Sequence, residues 1–323
     1  MASVMDSAKP DPILGFYGPD SMMWRINREA VLLGAGPAAL LLQVAHPLVA
    51  EGVAHHSTFE ADPFRRLHGT IATTMDLVFG DGRAAERAVR RLNGIHSGVR
   101  GKVADEDARR LAASYRALDP ELLLWVQVTL IVTSVRAYLR WVGPLSPHER
   151  EQFWQEARRV GVRLGIPLTL SPADWPALMA YWRRMLAPEG PIHVTPTARR
   201  LSRLIVRPPL PFTPWPLVDL AALPGLALLS PRLRDEFGIG WGSRQAALAR
   251  VLDLAIRTWV RIVPVRLRQM PQAANALRRA QARASRPSMT SASRSYSSRA
   301  PDSMPEATTA SRASTEGASD TAV

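Results

Sequence analysis

The residue pattern predicts an all-α fold, and three observations carry that prediction. A side-chain acceptor is followed at once by proline at Asp62-Pro63, Asp119-Pro120, Ser146-Pro147, Ser171-Pro172, Thr195-Pro196 and Ser230-Pro231. Such a pair starts a helix: the oxygen accepts from the first free N–H groups, and proline gives up an N–H that has no partner there. The runs that follow, such as Pro120–Trp141 and Pro147–Leu164, carry apolar residues at three-to-four spacing. No run of convincing period-two alternation marks a strand.

Taken in order, the spacing predicts helices over 24–35, 37–53, 63–79, 83–99, 105–117, 120–142, 147–164, 172–187, 196–206, 216–229, 231–236, 243–262 and 265–280. Ser146-x-x-Glu149 and Ser171-x-x-Asp174 add capping-box character to two of these starts. The segment RPPLPFTPWP, 207–216, is too rich in proline for helix and is expected to cross in extended form. The domain reading is a flexible N-terminus over 1–14, a single large helical domain over 15–280 and a disordered tail over 281–323. That tail is rich in Ser, Ala, Thr and Arg and holds almost no large apolar residues, so it cannot offset its ordering entropy.

The 323-residue chain is long enough to bury a sizeable core. It has no cysteine, which excludes disulfides, thiolate ligation and iron–sulfur clusters. The net charge of +13 suggests nucleic acid, but the arginines are scattered over every helix and often stand beside acids, as in Asp105-Glu106-Asp107-Ala108-Arg109-Arg110. That is the pattern of solvated helix faces, and with no binding motif or aromatic platform a nucleic-acid partner is not expected. The N-terminus lacks a basic segment leading into an apolar core, so a cytoplasmic location is expected. The most membrane-like stretch, Val31–Val53, is interrupted by Pro37, Gln43, His46, Pro47 and Glu51. It reads as buried helix rather than a transmembrane segment, with peripheral membrane contact left open.

Four of the seven histidines (His46, His55, His56 and His68) fall between 46 and 70. Adjacent histidines point about 100° apart on a helix, so His55 and His56 cannot easily share one ion; capping and supporting hydrogen bonds suit them better. Arg66 and Thr70 stand one turn apart at the edge of an apolar face made by Leu67, Ile71 and Val78, with Thr73 and Thr74 alongside. Two readings stay open: a surface arginine with threonines bonded back to their own helix, or an internal pocket in which Arg66 meets an oxyanion and Thr70 offers a hydroxyl. His96 lies among Leu92, Val99 and Val103, while Gly94, Gly98 and Gly101 share a face that would admit another helix. It is either a satisfied core residue or a neutral imidazole presented to a metal in an apolar cavity, as haem requires. His148 and His193 are expected at the surface. Gly34-Ala35-Gly36-Pro37 lacks a preceding strand and a third glycine, so it is no dinucleotide loop; its glycines are expected to allow close helix packing. No HExxH motif, Glu-x-x-His pair or nucleophile elbow is present.

Several motifs recur in one order: Trp24-Arg25-x-Asn27-Arg28-Glu29, Gln43-x-x-His46-Pro47, Gly52-Val53-Ala54-x-His56-Ser57, Asp62-Pro63-x-x-Arg66-x-x-x-Thr70 and Phe79-Gly80. His96-x-x-Val99-x-Gly101, Trp125-Val126-x-x-Thr129-Leu130, Leu164-Gly165-Ile166-Pro167 and Trp241 follow. Over about residues 15–265 this ordered set resembles the MpaB-type oxygenase family, which shares its catalytic domain with the latex-clearing rubber oxygenases. The resemblance implies a globin-reminiscent helical fold, b-type haem and dioxygen as co-substrate. Characterised relatives cleave carbon–carbon double bonds in isoprenoid chains. It further implies His96 as the iron ligand, Arg66 and Thr70 lining the haem pocket and Thr129 as a distal neighbour, with His46, His56 and Gln127 as supporting residues. Two positions depart from the family pattern. Rubber-cleaving members have lysine where this chain has Gly69, and many members have histidine where it has Gln127. If that histidine is the ligand elsewhere, this chain is haem-free or differently ligated.

The expected function is therefore a haem-dependent oxygenase acting on a hydrophobic, unsaturated small molecule. The alternative is a non-catalytic helical protein that binds such a molecule in the same cavity.

Overall fold

In the computed structural model the described residues are 9–56, 63–208 and 214–285; of residues 63–68 and 70 only the backbone is described. The helices are α1 (Met22–Asn27), α2 (Gly36–Val44), α3 (Pro47–His56), α4 (Pro63–Phe79), α5 (Gly82–Gly98), α6 (Glu106–Arg109), α7 (Pro120–Trp141), α8 (Pro147–Arg163), α9 (Trp175–Met185) and α10 (Pro196–Val206). They continue as α11 (Trp215–Leu226), α12 (Pro231–Glu236), α13 (Ser243–Ile262), α14 (Val265–Arg268) and α15 (Pro271–Ala284), and a 3-10 turn spans Ala30–Ala35. The fold is all-α apart from one antiparallel hairpin, β1 (Arg100–Lys102) with β2 (Ser114–Arg116), in the register Arg100↔Arg116 and Gly101↔Tyr115.

Proline pairs start helices largely as expected. Asp119 accepts from the Glu121 amide, Ser146 from Glu149, Thr195 from Ala198 and Ser230 from Leu233. Ser146 and Glu149 close a reciprocal capping box. The exception is Ser171-Pro172: the cap is Asp174, and the Ser171 hydroxyl is buried without a partner. Asp62-Pro63 begins outside the described residues.

Other boundaries move for local reasons. The helix expected over 37–53 is two helices, since Pro47 has no N–H to continue the ladder and clashes with the preceding turn. The 3-10 turn and α2 together are bent by 105° from α3. The helix expected over 24–35 breaks at Glu29, which is extended. The helix expected over 105–117 shortens to α6 and gives way to the hairpin: Ala108 and Tyr115 pack with Val103, while Leu111 is 42% exposed, so no helical stripe is buried. Pro271 splits the last expected helix, whose second half runs on to Ala284. Of the tail expected from 281, residues 281–284 are the end of α15; the rest of it, from 286 on, and residues 209–213 of the extended crossing lie outside the described residues.

At the centre lies α7, with Leu124, Trp125, Val128, Val132, Ala137 and Trp141 all buried. By length and composition α7 could cross a membrane, but 67% of its most apolar window is buried inside the helical assembly, as in a core helix. Its two tryptophans need partners for their N–H groups once buried. Trp125 donates to the Leu42 carbonyl of α2 at 3.1 Å and stacks on Trp182 of α9 with ring centroids 5.6 Å apart. Trp141 donates to Asp253 of α13 at 2.7 Å, and the other oxygen of that carboxylate takes Arg140. Gly34 packs on Trp141, and its carbonyl stands so close to Gly225 that a Cβ there would clash with it. The close approach is made by Gly225; a Cβ at Gly34 would make only ordinary contact with Trp141, at 3.7 Å, and one at Gly36 would meet nothing within 4 Å, so neither Gly34 nor Gly36 is required for the close packing expected of them.

Asp253 is 8% exposed and neutralises one charge while satisfying an indole. Replacing it with alanine leaves both partners uncompensated, and an expected loss of roughly 3 kcal/mol of stability follows. Urea unfolding followed by tryptophan fluorescence checks this.

Candidate functional site

Helix α5 brings His96 to the site. It opens on Asp81, which accepts from the Ala84 amide at 2.8 Å, and its buried face is Ala85, Ala88 and Val89. It packs along α4, whose backbone carries Arg66 and Thr70. The side chains of those two residues are not among the described ones. Thr73, one turn on, bonds back to the Gly69 carbonyl at 2.7 Å. For Thr73 the back-bonded alternative is therefore the one realised.

His96 stands in the last turn of α5, half-buried, with no hydrogen-bond partner among the described residues. Burial lowers its proton affinity below the usual histidine value. It is therefore a neutral imidazole with an uncommitted lone pair, the state a metal ligand requires. The helix approach expected on Gly94 and Gly98 does not occur: a Cβ at either would meet nothing within 4 Å, and Ile95 beside them is 54% exposed. Only Gly101 packs closely, and against Tyr115, whose hydroxyl lies 2.7 Å from where a Cβ would stand.

The chain just past His96 is fixed by α3. The His96 carbonyl accepts from the Val99 amide, and the Val99 carbonyl accepts from Ala117 across the hairpin. The His56 ring nitrogen Nε2 is 3.0 Å from the Arg100 carbonyl, and its ring stands edge-on to Tyr115. His55 stacks parallel to the other aspect of Tyr115 and bonds to the Glu51 carbonyl. Buried Glu51 completes the clamp by accepting from the Ala104 amide at 2.7 Å. These are the supporting hydrogen bonds expected of the adjacent histidines, and Tyr115, which the sequence reading did not single out, is their common partner.

His46 occupies the break between α2 and α3. It is 7% exposed, its Nδ1 has no partner, and its pKa is lowered to about 4 by burial first and by neighbouring His193 second, with Asp119 opposing. His193 is not a surface residue as expected. It is half-buried, and its amide donates to the Ala45 carbonyl at 3.1 Å. His148 is exposed at the start of α8.

Thr129 is fully buried on α7, and its hydroxyl donates to the Val126 carbonyl at 2.7 Å. No hydrogen bond or ring contact joins it to His96 among the described residues. Gln127 faces α8: its amide donates to the Ala157 carbonyl at 2.9 Å, its Oε1 is buried without a partner, and it fills the space over Gly161. Two residues beyond Gly161, the Arg163 carbonyl accepts from Asn93 of α5, so the end of α8 touches the helix of His96. A Cβ at Gly69 would meet only the end of the Arg91 side chain, at 3.7 Å.

A family model described as the catalytic domain of the ER-bound oxygenase mpaB/B′ and rubber oxygenase matches residues 23–258. The chain belongs to this family. An oxygenase of this kind uses dioxygen on a small-molecule substrate. Two relatives, uncharacterized proteins of Mycobacterium bovis and Mycobacterium tuberculosis, are each 29% identical over 241 residues, covering 71% of this chain and 89% of theirs. No solved structure matches, and the expected likeness to globins is not confirmed.

Membership of the mpaB-type family raises the question of which residues suit haem. Among the described residues no group of three or more His, Asp or Glu could hold a bare ion; the His68 side chain lies outside them. Haem asks for less: one neutral imidazole with a free lone pair. His96 fits that requirement, whereas Gln127, an amide already donating to Ala157, cannot replace an imidazole.

The histidine at the helix break has a measurable consequence. Its folded pKa, about 4, lies below the unfolded value of 6.5, so the unfolded state binds the extra proton between these limits. His46 therefore contributes stability that is present above pH 6.5 and lost as pH falls towards 4. The loss should reach about 3 kcal/mol. A His46→Gln variant should lack this component when denaturant midpoints are compared across that window.

Proposed function

We propose that the protein is a haem b-dependent oxygenase acting on a hydrophobic, unsaturated substrate of isoprenoid type. The reading is carried by His96: a neutral imidazole, free of hydrogen bonds, at the end of a helix whose next residues are clamped by the hairpin. Family membership supports the oxygenase class, and the uncommitted imidazole of His96 suits the single-ligand requirement of haem. When bound, haem supplies the one-electron and dioxygen chemistry that no side chain of this chain offers.

The chain's own residues would do the rest. His96 would hold the iron from one side. Arg66 and Thr70, one turn apart on α4, would supply a guanidinium and a hydroxyl to the pocket, orienting a propionate or an oxygen atom. Thr129 would close the α7 side: its hydroxyl is spent on its own helix, leaving a methyl group to exclude water. His56 would act through the hairpin by fixing the chain after His96, and His46 would shape the α2–α3 break. Gln127, with an unpaired buried oxygen, would accept from a pocket water or substrate group. Gly69 supplies no lysine ammonium to the distal side.

Gln127 and Gly69 favour one alternative, a haem-free carrier of the same class of hydrophobic molecule. Purification with haem supplementation separates the two. The oxygenase reading expects a Soret band, a positive pyridine haemochrome assay and oxygen uptake with an isoprenoid alkene. The carrier reading expects co-purified lipid, no Soret band and no uptake. His96→Ala should lose the Soret band while keeping the wild-type helical circular dichroism. A normal spectrum in that variant would overturn the ligand assignment.

A further inference from the structure

On helix α13 the buried face is Ala249, Asp253, Ile256 and Val260. The opposite face carries Val251, Leu254 and Ile262, which are 64%, 65% and 74% exposed, and Leu267 on α14 is 77% exposed. At 100° per residue the three α13 residues fall within one stripe. Arg250, Arg257 and Arg261 line one border of that stripe, and half-exposed Trp259 lies on the other. From 243 to 268 the only acid is Asp253, which is buried and spent on Arg140 and Trp141. Asp219, the sole acid on neighbouring α11, is held by Arg207. An apolar stripe of this size on a water-facing helix marks an interaction surface, and its border is cationic, with neither carboxylate of α11 and α13 left unpaired.

We propose that the outer face of α13 and α14 is a docking surface for an anionic lipid bilayer. The apolar stripe suits the acyl boundary, the arginines suit lipid phosphates, and tryptophan suits the interface between them. The charge argues against a second copy: a two-fold pairing would bring the arginines of both helices together without acids to compensate. The chain's own residues 286–323 carry Met289, Tyr296, Met304 and Val323 as their only large apolar residues, and they add further arginines. The inference is independent of the haem reading, since it rests on helices remote in sequence from His96.

Flotation of the full chain with phosphatidylcholine vesicles, with and without phosphatidylglycerol, tests it. The wild type should float with the anionic vesicles only, and less at high salt. Val251→Glu with Leu254→Glu should weaken that binding at least about tenfold, and Arg250→Gln with Arg261→Gln should remove the preference for anionic lipid. All four side chains are exposed, so both variants should keep the wild-type thermal melt. A wild type that floats with neither vesicle overturns the proposal. So do two variants that float as the wild type does. A wild-type dimer dissociated by the Val251→Glu/Leu254→Glu pair, without vesicle binding, would assign the face to a second copy instead.

Discussion

The structure depends on hiding one helix. Helix α7 is apolar on nearly every side, and each large side chain it buries is worth about 1.5–3 kcal/mol over leaving it in water. Burying its tryptophans is favourable only if their N–H groups find acceptors, which limits what can pack there. At one end the acceptor is a backbone carbonyl of α2, and at the other it is the carboxylate of Asp253 on α13. These two directional bonds place α2 and α13 on α7, and the close contact of Gly225 with Gly34 then brings in α11.

Much of what carries the family resemblance turns out to hold helices together. Arg25 pairs with Glu149, tying α1 to α8, and Asn27 caps back to Met23. Buried Glu29 pairs with Arg268, and the Arg28 carbonyl accepts from Met270, so the N-terminal helix is stitched to the last part of the domain. Burial raises the pKa of Glu29, with Arg268 and Arg28 working against that rise. The residues proposed to meet a cofactor or substrate are few: His96 on α5, Arg66 and Thr70 on α4, and Thr129 and Gln127 on α7. Helix α7 therefore serves both the scaffold, through Trp125 and Trp141, and the proposed pocket, through Gln127 and Thr129.

The helices were legible because their starts are local. A capping oxygen followed by proline needs no tertiary context, and Asp119, Ser146, Thr195 and Ser230 all behave accordingly. Ser171 fails because Asp174, three residues on, competes for the same role with a proline of its own at Pro176. The hairpin was not legible, since three-residue strands are too short for alternation to register, and Tyr115 is buried by contacts distant in sequence. The site was half legible. His96 stood out by its chemistry, but the open face beside it and the pairing of His193 with the helix break at His46 are properties of packing. Of the clustered histidines that are described, His46 is buried at the helix break while His55 and His56 serve Tyr115 and the hairpin, since a helix turns neighbouring side chains apart.

The hairpin beside His96 has a mechanical meaning. Helix α5 behaves as a beam held at both ends: the Gly82 amide bonds to the Pro12 carbonyl at its start, and the chain past Gly98 is gripped by His56, Val99 and Ala117. A beam so held bends most at midspan and least beside its supports. The imidazole sits within one turn of a support, where a beam's excursions are smallest, while Gly94 and Gly98 leave the opposite face of the helix open. The same turn is thus anchored where the chain leaves it and bare on the face away from the imidazole.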